Sequence, residues 1–448
     1  MRLQRRNLLQ ALSGLGLFAA LPSHRAGATA DRYEGPYLIT VHAGGGWEPT
    51  TFCDGKLPTD ALEVGYDEPT TTGAFTHAPL TLRDGAVELD SVGAFFADYG
   101  SRLTVINGID TQTNNHQTGI KHTWSGKTFE ELPSLGALFA AARLGDMRVP
   151  VPFLSSGVYD ITANLVPLTR IATPSALRAV ALPGVINPSA PEDEREHFHA
   201  AETEARVRAA TAERLARVGA GPLLPIETAS VLDLEAARLG TAGFEDLMIA
   251  MPATPTDTKT AFPELAPYND AALGAWLRTA ETALYAFSSG QAAAANIFTS
   301  SFDTHAAHDV NQQKVVGKLF LLLRFIFRLA DTLGLTDKLT IVVGSEFGRT
   351  PRYNAGAGKD HWNVTSMMVS GPGIAGNRVI GATDDELRPM CVDPSAPSTT
   401  LPTDDASGTR IYPAHLQRAL RKTLGIDTSE PAGRFSLPVE HPLDDIFA

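Results

Sequence analysis

Cysteine is nearly absent: the 448 residues include only Cys53 and Cys391, too few to build a disulfide scaffold. In an exported chain the two can form one bridge, or each can stay a buried thiol. Positive charge is scarce as well, with 37 Lys and Arg against 50 Asp and Glu and a formal net charge of −13. Neither a basic stripe nor a polybasic run is present, which argues against nucleic acid or an anionic membrane as partner. Long apolar runs are missing. Leu319 to Phe327 is short and broken by Arg324, so it reads as a buried core helix and no transmembrane segment is expected. No internal repeat is visible.

The first 30 residues read as a leader. Arg5-Arg6-Asn7-Leu8-Leu9 is a twin-arginine signature, Ala11 to Leu21 a modest apolar stretch, and Ala28-Thr29-Ala30 a small-residue cleavage site. The expectation is export by the twin-arginine (Tat) machinery and a periplasmic or secreted mature chain starting near Asp31. Residues 31–448 are expected to form one α/β domain around a doubly wound, mostly parallel sheet flanked by helices. Residues 186–267 read as a helical excursion from that sheet, and 393–408, rich in Pro, Ser, Thr and Asp, as a mobile loop.

The chemistry gathers where β-rich runs end. Tyr37 to His42 runs into Gly44-Gly45-Gly46-Trp47-Glu48-Pro49-Thr50, which offers Glu48 as a metal ligand and Thr50 as a nucleophile or anion contact. Arg102 to Gly108 leads to a loop and helix start with His116 and Thr118. Asn296 to Ser301 precedes Asp303, His305 and His308, and Leu339 to Gly344 precedes Glu346 and Arg349. Gly358-Lys359-Asp360-His361-Trp362 follows. In parallel α/β sheets ligands gather beyond the carboxyl ends of the strands, so at least four of these segments should meet at one edge. Mixed imidazole and carboxylate donors suit Zn²⁺, Mn²⁺ or Fe, and an all-oxygen set suits Mg²⁺ or Ca²⁺. Arg349 could clamp a phosphate or sulfate.

The runs SFDTHAAH, SEFGRTP and GKDHW, with the GGWEPT loop, HQTGIKHTWSG and the twin-arginine leader, resemble the exported bacterial domain-of-unknown-function family 1501. That family is grouped with the alkaline phosphatase and sulfatase superfamily, so the resemblance implies an alkaline phosphatase-like sandwich and a one- or two-metal site acting on phosphate or sulfate esters. Residue by residue it implies Glu48 as the acid after the first strand, Asp303 with His305 or His308 as the acid-then-His pair, Glu346 as the acid of the Asp-His pair and His361 as the late metal-binding His. The sequence departs from the superfamily at Phe347, which replaces a second-site His, and at the nucleophile, where Asn115-His116 stands with Thr118 nearby.

Together these readings give an exported metal-dependent hydrolase of a small-molecule or polymer phosphate or sulfate ester. Thr50, His116, Thr118 and Arg349 are the candidate catalytic residues; Glu48, Asp303, His305, His308, Glu346, Asp360 and His361 are the candidate metal ligands. The rival is a catalytically silent exported protein that binds a metal or anion through a degenerate site.

Overall fold

The computed structural model describes residues 31–448, except 130–131, 172–177, 179–181, 183, 189, 191, 240–246, 248–250 and 253–254. The leader expectation therefore lies outside the described residues.

Eight strands make the central sheet: β1 (Tyr37–Ala43), β2 (Thr104–Asp110), β3 (Phe153–Ser155), β4 (Leu168–Arg170), β5 (Ala294–Thr299), β6 (Leu339–Gly344), β7 (Val364–Ser370) and β8 (Arg378–Ile380). Their spatial order is β8-β2-β7-β6-β1-β5-β3-β4. Strand β7 is antiparallel to both β6 and β2, and the other pairings are parallel. The sheet is thus mixed and mostly parallel, flanked by helices, as the β-branched runs suggest. All seven residues of β1 and all six of β6 are buried, as expected for strands covered on both faces. With β1, β2, β5 and β6 pointing one way and β7 the other, the exits of the first four and the entrance of β7 share one edge. That is why five sequence-distant polar segments meet.

The flanking helices that matter here are α1 (Val92–Tyr99), α2 (His116–Ser125), α3 (Ala271–Ser288) and α4 (His308–Thr332). Ser91, Asn115 and Asp270 cap α1, α2 and α3 through their side chains, satisfying backbone N–H groups that lack helical partners. Helix α4 connects β5 to β6 and buries Leu319 to Leu323. Arg324, which breaks its apolar run, is held by Asp90 and Asp98 at 2.6 Å each. The aromatic rings of Phe95 and Phe320 stack at 4.0 Å where α1 meets α4.

One expectation changes. Ala396–Leu401, inside the stretch read as a mobile loop, is a strand paired with Cys391–Asp393, because its Thr399 and Thr400 suit a strand better than its Pro and Ser suggested. Of the two states open to Cys53 and Cys391, the structure has the buried free thiols.

Candidate metal centre

Asp303 is the focus. It follows β5 through Ser301, whose φ of 83° is a strained value for a residue with a side chain. Gly45 in the loop after β1 permits the approach: a Cβ there would lie 2.3 Å from the Asp303 nitrogen. On its inner side Asp303 Oδ1 accepts a 2.6 Å hydrogen bond from the Arg349 guanidinium. The Asp303 side chain is 42% exposed while that of Arg349 is 0% exposed.

Three imidazoles face the same carboxylate. His305 Nε2 is 3.0 Å and His361 Nε2 3.1 Å from Asp303 Oδ1, and His116 Nε2 is 3.5 Å from Asp303 Oδ2. Each ring is held from behind by a group that can only accept: His305 Nδ1–H donates to Asp360 (2.8 Å), His361 Nδ1–H to the Asn114 carbonyl (2.9 Å) and His116 Nδ1–H to Glu346 (2.8 Å). A neutral imidazole has one N–H, so all three Nε2 atoms present lone pairs inward. His305 and His361 place theirs 3.0 Å apart.

Lone pairs of neutral rings cannot hydrogen-bond one another or a carboxylate, so this arrangement needs an extra proton or a cation. Donor–metal distances of roughly 2.0–2.1 Å put tetrahedral donors about 3.3 Å apart, close to the 3.0, 3.1 and 3.5 Å found here. The donors of His116, His361 and Asp303, each oriented by a further partner, fit a divalent metal, and His305 adjoins them through Asp303 and His361. Ligand atoms of His116, Asp303 and His361 lie within 4.8 Å of one another.

The remaining predicted ligands lie elsewhere. Glu346 is buried and spends Oε1 on the Gly45 N–H and His116. Burial alone would raise its pKa, but the adjacent His42 and His116 hold it well below the usual carboxylate range. Asp360 stands behind His305, whose hydrogen bond lowers its pKa. Glu48 and His308 belong to a separate buried cluster, in which Glu48 Oε2 lies 3.1 Å from Lys359 Nζ and 3.3 Å from His308 Nε2. Lys359 and His308 outweigh the cost of burial and bring Glu48 down to about 2. For His116 the Glu346 hydrogen bond raises the pKa, and for Asp303 the Arg349 contact overcomes desolvation and lowers it.

The candidate catalytic groups divide likewise. The Thr50 hydroxyl donates to Glu48 Oε1 at 2.7 Å and is buried. Thr118 bonds the Asn115 side chain through its N–H at 3.2 Å and its hydroxyl at 3.3 Å, within the cap of α2. Arg349 donates to Asp303 and to the carbonyls of Gly45, Gly46 and Lys359; fully enclosed, it positions Asp303 and has no exposed face for a substrate anion. Phe347 packs under the His116 and His361 rings at 4.9 and 4.3 Å and gives the cluster an apolar floor. Sequence reasoning passed over His42, Asn114, Trp124 and Ser345. The position of His42 at the end of the first strand was the available signal for it.

No curated protein sequence matches this chain. Among solved structures, the lipoteichoic acid synthase LtaP from Listeria monocytogenes shares 8% identity at a TM-score of 0.39, covering 94% of this chain and 77% of that one. A sulfatase-type protein from Bacteroides thetaiotaomicron shares 12% identity at a TM-score of 0.34, covering 91% and 72%. The TAB5 alkaline phosphatase mutant His 135 Asp, with Mg bound in its M3 site, shares 10% identity at a TM-score of 0.30, covering 78% and 95%. Residues 282–398, which carry Asp303, His305, Glu346, Arg349 and His361, match the family described as Protein of unknown function (DUF1501), the family the sequence resembles.

Proposed function

We propose that the chain is an exported, metal-dependent hydrolase of phosphate or sulfate esters. The observation that carries this reading is the inward convergence of three imidazole lone pairs on one carboxylate, each ring fixed by an acceptor behind it. A divalent cation held by His116, His305, His361 and Asp303 would supply Lewis acidity, polarising an ester oxygen and lowering the pKa of a water.

The chain's own residues prepare that site. Glu346, Asp360 and the Asn114 carbonyl fix the imidazole tautomers, and Arg349 keeps Asp303 ionised and in place. A cleft of about 640 Å³ adjoins Asp303 and His305, with Trp276 of α3 and Lys314 of α4 in its wall; it offers room for the organic part of an ester. Among the described residues no hydroxyl is bonded to Asp303, His116, His305 or His361, which favours water over Thr50 or Thr118 as the nucleophile. The same observation is what favours the rival, a silent metal- or anion-binding protein. The twin-arginine leader supports a periplasmic or secreted location.

Metal analysis of the purified mature protein, followed by assay of phosphate and sulfate esters with and without chelator, tests this reading. We expect bound divalent metal and ester turnover that chelation abolishes. Bound metal with no turnover on either ester class would select the silent binder, and a folded protein that binds no divalent cation would overturn the hydrolase and leave only an anion-binding protein.

A further inference from the structure

The candidate metal site is backed by a fourth histidine, which is wholly buried. His42, at the end of β1, is 0% exposed and lies between the Phe298 and Trp124 rings, 6.1 and 5.8 Å away. Trp124 Nε1–H donates to His42 Nδ1 at 2.7 Å. An indole N–H can only donate, so Nδ1 of His42 must be the unprotonated nitrogen. The ring proton is then on Nε2, which sits 3.3 Å from Glu346 Oε2.

Glu346 needs that proton. Its Oε1 is served by the Gly45 N–H and His116 at 2.8 Å each, leaving Oε2 to Ser345 and His42. The Ser345 hydroxyl has one proton and two acceptors, the Ala43 carbonyl at 2.6 Å and Glu346 Oε2 at 3.0 Å. Given to the nearer carbonyl, that proton leaves the His42 Nε2–H, 3.3 Å away and short of hydrogen-bond alignment, as the polar hydrogen facing Oε2. A buried carboxylate oxygen without a donor costs free energy, so the tautomer of His42 matters to Glu346 and, through it, to His116.

We infer that Trp124, His42 and Glu346 form a positioning relay that fixes the tautomer and aim of His116 from the far side of the sheet edge. The inference rests on His116 being a metal ligand. Trp124 sets His42, His42 turns its Nε2–H toward Glu346 Oε2 at 3.3 Å, and Glu346 holds His116 with Nε2 inward. Neither Trp124 nor His42 touches the ligand cluster. Outer partners of metal-bound histidines tune affinity by roughly 10–100-fold.

The test compares His42→Phe, which keeps an apolar ring but removes the donor, with His42→Gln, whose amide can still donate near the Nε2 position. Zn²⁺ and Co²⁺ affinity and the Co²⁺ absorption spectrum are measured, together with ¹⁵N shifts of His116 in the metal-free protein. We expect His42→Phe to weaken metal binding roughly 10-fold or more, to change the Co²⁺ spectrum and to mix the His116 tautomers, while His42→Gln stays near wild type. Trp124→Phe should mix the His42 tautomers and give a smaller loss. His42→Phe matching wild type in His116 tautomer and metal affinity overturns the relay, as does equal loss of both in the Gln and Phe variants, which marks a packing role. Wild type that binds neither metal overturns the metal reading; the His116 tautomer in the metal-free variants still decides the relay.

Discussion

Two clusters of the same residue types lie at this sheet edge, and their difference is one of charge balance. Around Glu48, the carboxylate has Lys359 and His308 at 3.1 and 3.3 Å, the Thr50 hydroxyl at 2.7 Å, and almost no exposure. Around Asp303, three imidazoles turn lone pairs inward and the carboxylate is 42% exposed. The first cluster is neutralised by a built-in ammonium and closed to solvent. The second sets one cation, Arg349, against three carboxylates, Asp303 with Glu346 and Asp360 behind its imidazoles, and presents unsatisfied acceptors to the opening. A carboxylate and a histidine near each other therefore say little about metal binding until their counter-charges are known.

Four substitutions and one change of pH would break or sharpen that contrast. Asp303→Asn should abolish measurable binding of Zn²⁺ or Co²⁺ in calorimetric titration, whereas Glu48→Gln should leave it within a few-fold of wild type. Lys359→Met strands a buried carboxylate, so denaturant unfolding should show a loss of about 3–5 kcal/mol, with metal stoichiometry unchanged; loss of metal without loss of stability would reverse the assignment.

Acid supplies the next test. Glu48 is depressed to about 2 in the fold. A depressed acid stabilises the fold above its unfolded pKa and loses that contribution as pH falls through the folded value. The stability advantage of wild type over Glu48→Gln should therefore shrink between pH 4.5 and 2, by up to about 3 kcal/mol; parallel stability curves would contradict the pairing. Smallest, Asp360→Asn removes the carboxylate behind His305 and should weaken metal binding roughly 10-fold, read as a shifted chelator competition curve.

The sequence carried the fold because its strands are β-branched and their polar exits are clear: Leu339 to Gly344 and Tyr37 to His42 read as buried strands, and both are. The convergence of five segments was legible for the same reason. What was not legible was how the donors are shared out. Glu48 and Asp303 look alike in sequence, and only the placement of Lys359 and Arg349 separates them. His305 and His308 are three residues apart, yet the left-handed Ala307, φ 45°, starts α4 between them, and they serve different clusters. Composition hid the strand at Ala396–Leu401, whose pairing partner, Cys391–Asp393, lies just across a turn.

The most direct measurement is the metal content of the purified mature protein beside Asp303→Asn and Glu48→Gln. The account predicts one divalent metal per chain in wild type and in Glu48→Gln, and none in Asp303→Asn. Metal kept by Asp303→Asn and lost from Glu48→Gln would move the centre to the buried cluster, and a metal-free wild type that no divalent cation stabilises would end the metal reading.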